Sequence, residues 1–261
     1  MKIKRQKTFA NGIVYALETD DGYPIETTDT FLPYYTKNAI GKRDNVLQNS
    51  DVGSRKERWM IGVSVMSGCP VRCKFCATGN LKRWRNLTAD EIIAQIDFIL
   101  SQNPDFNPAE AKEFKINYTR MGEPFLNIEA VKEAIRRITE RWPNTHHYVS
   151  TIGLTDSDFS WIQGNITLQL SLHSLDEERR NDLIPLGKKM TIAELGKVRT
   201  NSNLKTTVNL TLVDEKDFNI TRLQEVFPKE LFFIKLSPIN PNSISVANKL
   251  GDGIIKASNL V

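Results

Sequence analysis

Short β-prone segments alternate with helical segments through most of this chain, and the alternation constrains the fold more than any other feature. The segments predicted as strands lie at residues 60–66, 114–118, 147–150, 166–171, 205–213 and 232–236. The segments predicted as helices lie at residues 88–100, 128–141, 176–183, 192–198 and 220–226. Strands and helices in this order form right-handed βαβ units with a parallel sheet. The predicted class is α/β, with the sheet curled into a partial (β/α)6 barrel.

The two ends of the chain lie outside this alternation. Two β-prone runs, residues 12–17 and 23–27, flank Asp20-Asp21-Gly22, and an Asp-Gly step between such runs predicts a β-hairpin. Residues 37–58 are polar and locally basic, which predicts a long, solvated loop. The chain is therefore expected to divide into a β extension over residues 1–58, a core over residues 59–241 and a tail over residues 242–261.

Composition excludes some classes of protein. Of the 261 residues, 40% are hydrophobic and 25% are charged, as in ordinary globular chains. No apolar run approaches the ~20 residues of a membrane-spanning helix, so no membrane partner is expected. The basic start of the chain is not followed by the apolar stretch of a signal peptide. The formal net charge of +4 permits an anionic partner such as nucleic acid without demonstrating one.

All three cysteines of the chain, Cys69, Cys73 and Cys76, lie within eight residues soon after the first core strand. Because their number is odd and they are all local, they do not form a disulfide framework, and a reducing, cytoplasmic location is expected. Three thiolates so close together can hold one metal centre. A structural zinc ion would need a fourth ligand, such as one of the three histidines. A [4Fe-4S] cluster would keep an open position on one iron, and three unligated thiols are the remaining alternative.

Residues suited to a binding site follow several other core strands. Gly122 and Glu123 come after the second strand, Ser150 ends the third, His173 follows the fourth and Asn240 follows the sixth. In a βα barrel the reactive groups lie on the loops after the carboxyl ends of the strands. Their common position predicts one site shared with the cysteines, although each residue alone fits a plain turn or a core position as well.

The cysteine motif, with the aromatic Phe75 before its last cysteine, resembles that of the radical S-adenosylmethionine (SAM) superfamily. Other segments resemble the RlmN/Cfr branch of that superfamily, whose members methylate adenine in RNA: residues 21–26, 84–92, 121–127, 149–153, 170–173 and 239–241. These segments follow the family's order, and the resemblance covers roughly residues 12–241. The resemblance implies a partial (β/α)6 radical-SAM barrel with a short N-terminal β extension.

The resemblance also implies a chemistry. Cys69, Cys73 and Cys76 would hold a [4Fe-4S] cluster whose open iron takes the amino and carboxylate groups of SAM. An electron from a low-potential donor such as flavodoxin or ferredoxin would cleave SAM to a 5′-deoxyadenosyl radical, which abstracts a hydrogen atom from the substrate. The residues that match the family's cofactor contacts are Gly122, Glu123, Ser150, Ser171, Leu172, His173 and Asn240.

The chain departs from the family where methyl transfer takes place. That reaction uses a cysteine seven residues before the first cluster cysteine, where this chain has Gly62, and a second one in a C-terminal segment. No cysteine follows Cys76, and the family's N-terminal helical domain for RNA binding is absent from the sequence. Glu26 matches a carboxylate proposed as a proton acceptor and is the candidate catalytic residue. We expect the cofactor-cleaving half-reaction to be complete and the methyl-shuttling half to be missing.

Three functions fit these residues. The first is a radical SAM enzyme with another substrate, which can still be a nucleobase, nucleotide or RNA. The basic residues 82–85 after the cluster motif can bind phosphate and stack a base, or can be a solvated surface. The second is an RNA adenine methyltransferase that is truncated or that receives its thiol from another chain. The third is a non-catalytic iron–sulfur sensor or nucleic-acid-binding protein.

Overall fold

The computed structural model describes residues 1–34 and 52–251, so most of the predicted loop at 37–58 and the end of the tail lie outside the described residues. The strands are β1 (Lys2–Phe9), β2 (Gly12–Glu18), β3 (Pro24–Leu32), β4 (Arg58–Gly62), β5 (Met66–Ser67), β6 (Arg85–Asn86), β7 (Glu113–Tyr118), β8 (His146–Thr151), β9 (Gln163–Gly164), β10 (Ile166–Ser171), β11 (Asn201–Ser202), β12 (Thr206–Thr211) and β13 (Phe232–Ser237). The helices are α1 (Ala89–Ser101), α2 (Ile128–Arg141), α3 (Glu177–Leu183), α4 (Ile192–Leu195), α5 (Ile220–Val226) and α6 (Ser243–Ala247).

One large sheet contains the predicted core strands. Its order is β1-β2-β3-β4-β7-β8-β10-β12-β13, and the two remaining pairs of short strands form separate two-stranded sheets. β1 to β4 pair antiparallel, whereas β4 pairs parallel with β7, and β12 pairs parallel with both β10 and β13. Parallel neighbours joined through helices are the mark of βαβ units. The predicted α/β class is therefore confirmed.

The observed elements differ from the predicted ones in a few places. The strand predicted at 60–66 is interrupted after Gly62, because the N–H of Ser64 donates to the side chain of Gln95 and the N–H groups of Val65 and Met66 donate to the carbonyl of Met121, beyond the end of β7. The predicted hairpin is present as β2 and β3, but β1 adds a third strand that the sequence pattern did not indicate, since all of its residues are exposed. The helix predicted at 192–198 ends at Leu195, where Gly196 is the C-cap.

The first of two compact units comprises residues 1–67, 86–121 and 127–148. Helices α1 and α2 pack on each other, and their buried faces recur at the helical period, with Ile92, Ile96 and Ile99 on α1. The predicted capping box is present: the Oγ1 of Thr88 accepts from the N–H of Glu91, and the Glu91 carboxylate accepts from the N–H of Thr88. Local signals therefore place α1 correctly.

The second unit comprises residues 68–85, 122–126 and the chain from residue 149 onward. A larger apolar cluster joins β10 and β12 to α4 and α5. A smaller apolar cluster has the buried members Val71, Ile152, Leu183, Ile184, Val213 and Ile239. The predicted boundaries at residues 58 and 241 divide the chain into consecutive segments, whereas the two compact units are each made of several separate stretches. The predicted domain boundaries therefore stay predictions. No helix in the described part of the chain is both long and apolar enough to span a membrane.

Candidate functional site

The three cysteines lie on a loop of the second unit that starts at Gly68 and ends in a 3-10 turn, Ala77–Asn80. Gly68 has a φ of 73°, and a Cβ atom there would lie 2.8 Å from the carbonyl oxygen of Arg83, so this start of the loop requires glycine. The N–H of Cys76 donates to the carbonyl of Cys73 at 3.0 Å. The loop is tightly folded and carries all three thiols together.

The thiols of Cys69 and Cys73 pack against the smaller apolar cluster. Burial, together with the charges of the nearby Glu123 and Cys76, raises the pKa of Cys69 to about 11, against hydrogen bonds from the backbone of Val71 and Arg72 that lower it. Burial and the neighbouring thiolates also raise the pKa of Cys73. A bound cation reverses this preference, because metal-coordinated thiols are deprotonated. The donor set therefore fits a positively charged iron centre, which would supply the charge that these buried thiolates need.

The histidines of the zinc alternative have other partners. His147 bonds to the hydroxyls of Tyr118 at 3.1 Å and Thr139 at 3.0 Å, so both of its ring nitrogens are occupied. Nδ1 of His173 accepts from the N–H of Thr211 at 3.1 Å. Within the residues that the structure describes, no three His, Cys, Asp or Glu side chains converge on a point that could hold one metal ion. The ligands of a [4Fe-4S] cluster each bind a different iron, so this finding concerns single ions only.

Glu123 is a buried carboxylate beside the cysteine loop. Gly122, with a φ of 104°, turns the chain so that Glu123 points inward. Its two carboxylate oxygens accept from the N–H groups of Phe125 at 3.1 Å and Ile152 at 3.0 Å. Burial nevertheless raises the pKa of Glu123 to about 7, against the effect of these bonds and of a bond from Thr151. A bound ammonium group would restore the charge of this carboxylate, so Glu123 fits the predicted contact to the amino group of SAM.

Two predicted cofactor contacts from different strands meet directly. The hydroxyls of Ser150 on β8 and Ser171 on β10 lie 2.9 Å apart. Gln169, which the sequence interpretation missed, donates from Nε2 to the Ser150 hydroxyl at 3.0 Å. This row of polar groups belongs to neighbouring strands of the sheet and can bind hydroxyl groups of a ligand.

Leu172 and His173 follow β10 in a strained stretch of backbone. His173 has a φ of 65°, a region that non-glycine residues rarely occupy and that concentrates at functional sites. Its ring lies edge-on to Phe75 of the cysteine loop, with 4.7 Å between the ring centroids. Leu172 is fully buried, and its N–H donates to the carbonyl of Asn209 at 2.9 Å. The segment 172–173 is therefore fixed directly beside the loop of the cluster motif.

Asn240 is exposed, and a neighbour links it to the cysteine loop. The side-chain amide of Asn242 donates to the carbonyls of Asn240 and Phe75, both at 3.0 Å. Asn242 is also the N-cap of α6. The sequence interpretation assigned it to the tail; its N-cap spacing to Ser245 is the signal that could have identified the helix.

Arg180 is a fully buried cation that the sequence interpretation took for part of a polar helix. It donates to the carbonyls of Met190 and Ile152, both at 2.7 Å, while its Nε has no hydrogen-bond partner among the described residues. Burial and the guanidinium of Arg180 lower the pKa of His173 to about 3. Burial also lowers the pKa of Arg180, while the charges of Glu177, 3.7 Å away, and of a Cys73 thiolate oppose that shift. Arg180 therefore makes this side of the site suited to negative charge.

The cysteine loop also borders a pocket of about 350 Å³. Its lining includes Cys73 and Cys76 together with the basic residues Arg72, Lys74 and Lys82. None of the predicted cofactor-contact residues, all of which the structure describes, lines it. The pocket therefore opens on a face of the loop that is separate from Glu123 and His173.

Glu26, the candidate catalytic residue, belongs to the first unit, where it pairs with Arg120. All predicted cluster and cofactor residues belong to the second unit. The assignment of each residue to cluster, cofactor or catalysis stays a prediction.

Comparisons with known proteins give the family. The model of the Radical SAM superfamily matches residues 63–218. The probable dual-specificity RNA methyltransferase RlmN of Dictyoglomus turgidum is 34% identical over 74% of this chain and 50% of its own length. The protein of the same name from Chlorobaculum tepidum is 34% identical over 80% of this chain and 58% of its own length. The chain thus spans about half the length of the curated relatives it matches.

A solved structure extends the similarity to the fold. A radical SAM methyltransferase from Sphaerobacter thermophilus superposes with a TM-score of 0.69 at 25% identity, over 99% of this chain and 72% of that one. The family match covers more than half of the chain, and the relatives confirm the resemblance drawn from the motifs. The chain belongs to the radical SAM superfamily, on its RlmN/Cfr-like branch.

Proposed function

We propose that the chain is a radical SAM enzyme that cleaves SAM reductively and abstracts a hydrogen atom from a nucleobase, nucleotide or RNA. One observation carries the proposal: a single compact unit contains Cys69, Cys73 and Cys76 together with every residue predicted to contact SAM. Contacts such as the 2.9 Å approach of Ser150 to Ser171 join residues that are distant in sequence.

The residues have separate tasks in this proposal. The three thiolates hold a [4Fe-4S] cluster, which when bound supplies the electron that cleaves the sulfonium of SAM. The Glu123 carboxylate receives the amino group of SAM in a charge-assisted hydrogen bond. Ser150 and Ser171 bind hydroxyls of the ribose. The segment 172–173 and Asn240 border the rest of the cofactor.

The test is anaerobic reconstitution with iron and sulfide, followed by addition of SAM and dithionite and measurement of 5′-deoxyadenosine. Release of 5′-deoxyadenosine that is lost in a Cys73→Ala variant supports the proposal. A reconstituted cluster without any cleavage would favour the non-catalytic sensor instead. The measurement needs no knowledge of the substrate, because 5′-deoxyadenosine comes from SAM itself.

The substrate proposal is supported by the relatives and by charge. The relatives named above are RNA methyltransferases, and residues 82–85 of this chain contribute three basic side chains and the half-exposed Trp84. Phosphate attracts such side chains, and an exposed indole can stack on a base. Binding of a short RNA oligonucleotide that weakens with rising salt would support this class of substrate.

A second candidate is methyl transfer to RNA with a cysteine supplied from outside the printed sequence. The specific observation in its favour is that the chain matches about half the length of RNA methyltransferases at 34% identity. This candidate predicts S-adenosylhomocysteine and methylated adenine beside 5′-deoxyadenosine once a thiol-bearing segment is added. The first candidate predicts that neither product forms.

The proposed function needs an external electron donor, and we propose an acidic, low-potential protein such as flavodoxin or ferredoxin. Residues 72–85 carry five basic side chains and no acidic one, and Arg72 and Lys82 are exposed beside the pocket at Cys73 and Cys76. Charge complementarity of this kind raises association rates. A reducing, cytoplasmic location would suit such a donor and stays a prediction.

Charge reversal tests the donor. In Lys82→Glu, reduction of the cluster by reduced flavodoxin should slow by about tenfold at low salt and less at high salt. Reduction by dithionite should not change. Arg222→Glu, at an exposed site on α5, is the matched control. Equal flavodoxin rates in both variants would exclude this face as the docking surface.

A further inference from the structure

The space beside Gly62 is filled by two side chains of the first unit. Gly62 ends β4, where its backbone lies between Thr28 of β3 and Asn117 of β7. A Cβ atom at residue 62 would lie 2.9 Å from the Cδ of Arg120, and closer still to the Oγ1 of Thr28. The position at which the RlmN/Cfr pattern has a cysteine therefore cannot hold one unless Arg120 and Thr28 move.

Arg120 places a guanidinium at this point. Its Nη2 donates to Oε1 of Glu26, and about a third of each side chain is exposed, 34% for Arg120 and 36% for Glu26. The backbone of Glu26 is fixed, because its N–H donates to the hydroxyl of Ser64 and its carbonyl accepts from that hydroxyl at 2.6 Å. Ser64 is held in turn by two bonds to the buried Gln95, at 2.8 and 2.9 Å. The ion pair thus stands on a rigid base.

The guanidinium keeps capacity for a second anion. Within the described residues its hydrogen bond to Glu26 uses one of the five N–H donors of an arginine. The remaining donors form a planar fork that matches phosphate or carboxylate oxygens. Arg120 also lies two residues before Gly122 and Glu123 in the same loop after β7, which connects it along the chain to the proposed cofactor contacts.

We propose that Arg120 binds a phosphate group of the substrate and that Glu26 positions its guanidinium. The side chain of Arg120 occupies part of the space that the RlmN/Cfr pattern gives to a thiol. The inference rests on the proposed function for the substrate class, a nucleotide or RNA. A guanidinium cannot accept and hand on a methyl group as a thiolate can, because it stays protonated and is not a nucleophile. In this proposal, a group that reacts with the methyl group in the RlmN/Cfr pattern is replaced by a guanidinium that binds the substrate through its charge.

Binding of adenosine 5′-monophosphate and of adenosine to the reconstituted full chain tests the proposal, with S-adenosylhomocysteine saturating the cofactor site. The monophosphate should bind about tenfold more tightly than adenosine, because it adds a charge-assisted fork contact. Arg120→Met should remove this preference, and Arg120→Lys should restore part of it. Arg137→Met, an exposed arginine of the same unit paired with Asp90, should leave it unchanged. If Arg120→Met does not fold, Arg120→Gln takes its place.

A short RNA oligonucleotide gives the second arm of the test. If Arg120→Met weakens binding of both the oligonucleotide and the monophosphate, the phosphate that Arg120 binds can belong to RNA or to a free nucleotide. If the variant weakens binding of one of them alone, that ligand is the source of the phosphate. Equal affinity of wild type for adenosine and its monophosphate, with no effect of Arg120→Met on RNA, would overturn the inference. Failure of the proposed function is separate, since it would show as absence of 5′-deoxyadenosine while binding is measured without turnover.

Thermal unfolding tests whether Arg120 fills the space beside residue 62. Gly62→Cys should lower the unfolding midpoint. Adding Arg120→Ala should lower it by less than the sum of the two separate decreases, because the arginine stem no longer occupies part of the space of the new side chain, although Thr28 still does. A decrease in the double variant that equals this sum would contradict the packing of Arg120 against residue 62.

Discussion

The two compact units of the chain follow the RlmN/Cfr pattern to different extents. In the second unit the predicted cofactor residues are present, and two of them, Ser150 and Ser171, lie within hydrogen-bond distance of each other. In the first unit the position of a family cysteine is Gly62, and Arg120 and Thr28 fill the space beside it. In the proposed function the residues that bind the cofactor belong to one compact unit and the residue that binds the substrate belongs to the other, so we expect either set to be able to change without the other.

Loss of one cluster ligand should have the largest effect in the second unit. Cys73→Ala should abolish stable cluster binding and release of 5′-deoxyadenosine, because two thiolates cannot replace the three that the cluster needs. Iron content, visible absorbance and product formation measure this directly. Thr78→Ala in the same loop is the control. A full cluster in Cys73→Ala would show that the cysteine loop is not the cluster site. The second unit would then not follow the RlmN/Cfr pattern more closely than the first.

Substitution of the buried carboxylate should have the next largest effect. Glu123→Gln keeps the shape of the side chain and removes its charge, so affinity for SAM should fall by about ten- to a hundredfold, the range for a charge-assisted hydrogen bond. Binding to the reconstituted protein measures the change. Glu110→Gln, in the first unit, should not affect it. An unchanged SAM affinity in Glu123→Gln would assign the carboxylate to the core and not to the cofactor.

A substitution at Gly62 should have a smaller effect, on stability, and tests whether the space beside this residue in the first unit is filled. Gly62→Ala should reduce the free energy of unfolding by about 1–3 kcal/mol, because the added methyl group must displace Thr28 or Arg120. Gly187→Ala is the matched control, since a Cβ there meets nothing within 4 Å, and it should change stability by less than about 0.5 kcal/mol. Equal stability of the two variants would mean that the space beside Gly62 is not filled in solution.

Acid should destabilise the first unit through one of two adjacent histidines. Burial lowers the pKa of His147 to about 3, below its unfolded value, so its contribution is present above the unfolded pKa and is lost as pH falls toward 3. Between pH 7 and 4.5 the loss amounts to roughly 2 kcal/mol. Chemical denaturation at both pH values should show a smaller loss in His147→Gln than in wild type. His146→Gln, at the half-buried neighbouring position beside Glu113, should keep most of the wild-type loss, because burial is the largest cause of the low pKa of His147. A full wild-type loss in His147→Gln would contradict the assignment.

Much of the fold follows from local signals in the sequence. The bounds of α2 and α5 agree with the predicted segments, and the capping box at Thr88 starts α1, because these signals act within a few residues. The break between β4 and β5 could not be predicted, since it depends on bonds to Gln95 and Met121, far along the chain. Strand β1 has no apolar alternation, and its place in the sheet comes only from pairing with β2.

The candidate site also has a part that the sequence indicates and a part that only the structure shows. The cysteine spacing and the residues after the strands are visible in the sequence, so the candidate residues could be named. Their contacts could not, because the meeting of Ser150 with Ser171 requires the strand order. Arg180 and Arg120 were missed because a charged residue in a polar segment usually indicates a solvated surface. Only packing shows that the first is fully buried and that the second fills the space beside a glycine.

Strand β1 has a consequence for how the sheet meets other molecules. Among the strands of residues 1–34 and 52–251 it forms one end of the nine-stranded order, so one side of its backbone has no neighbour among those strands. Lys2, Lys4, Arg5 and Lys7 are all exposed along it. Positive charges on an edge strand repel the same edge of a second molecule and discourage strand-to-strand stacking. The sheet can therefore leave this edge open to water without recruiting a copy of itself into a growing fibre.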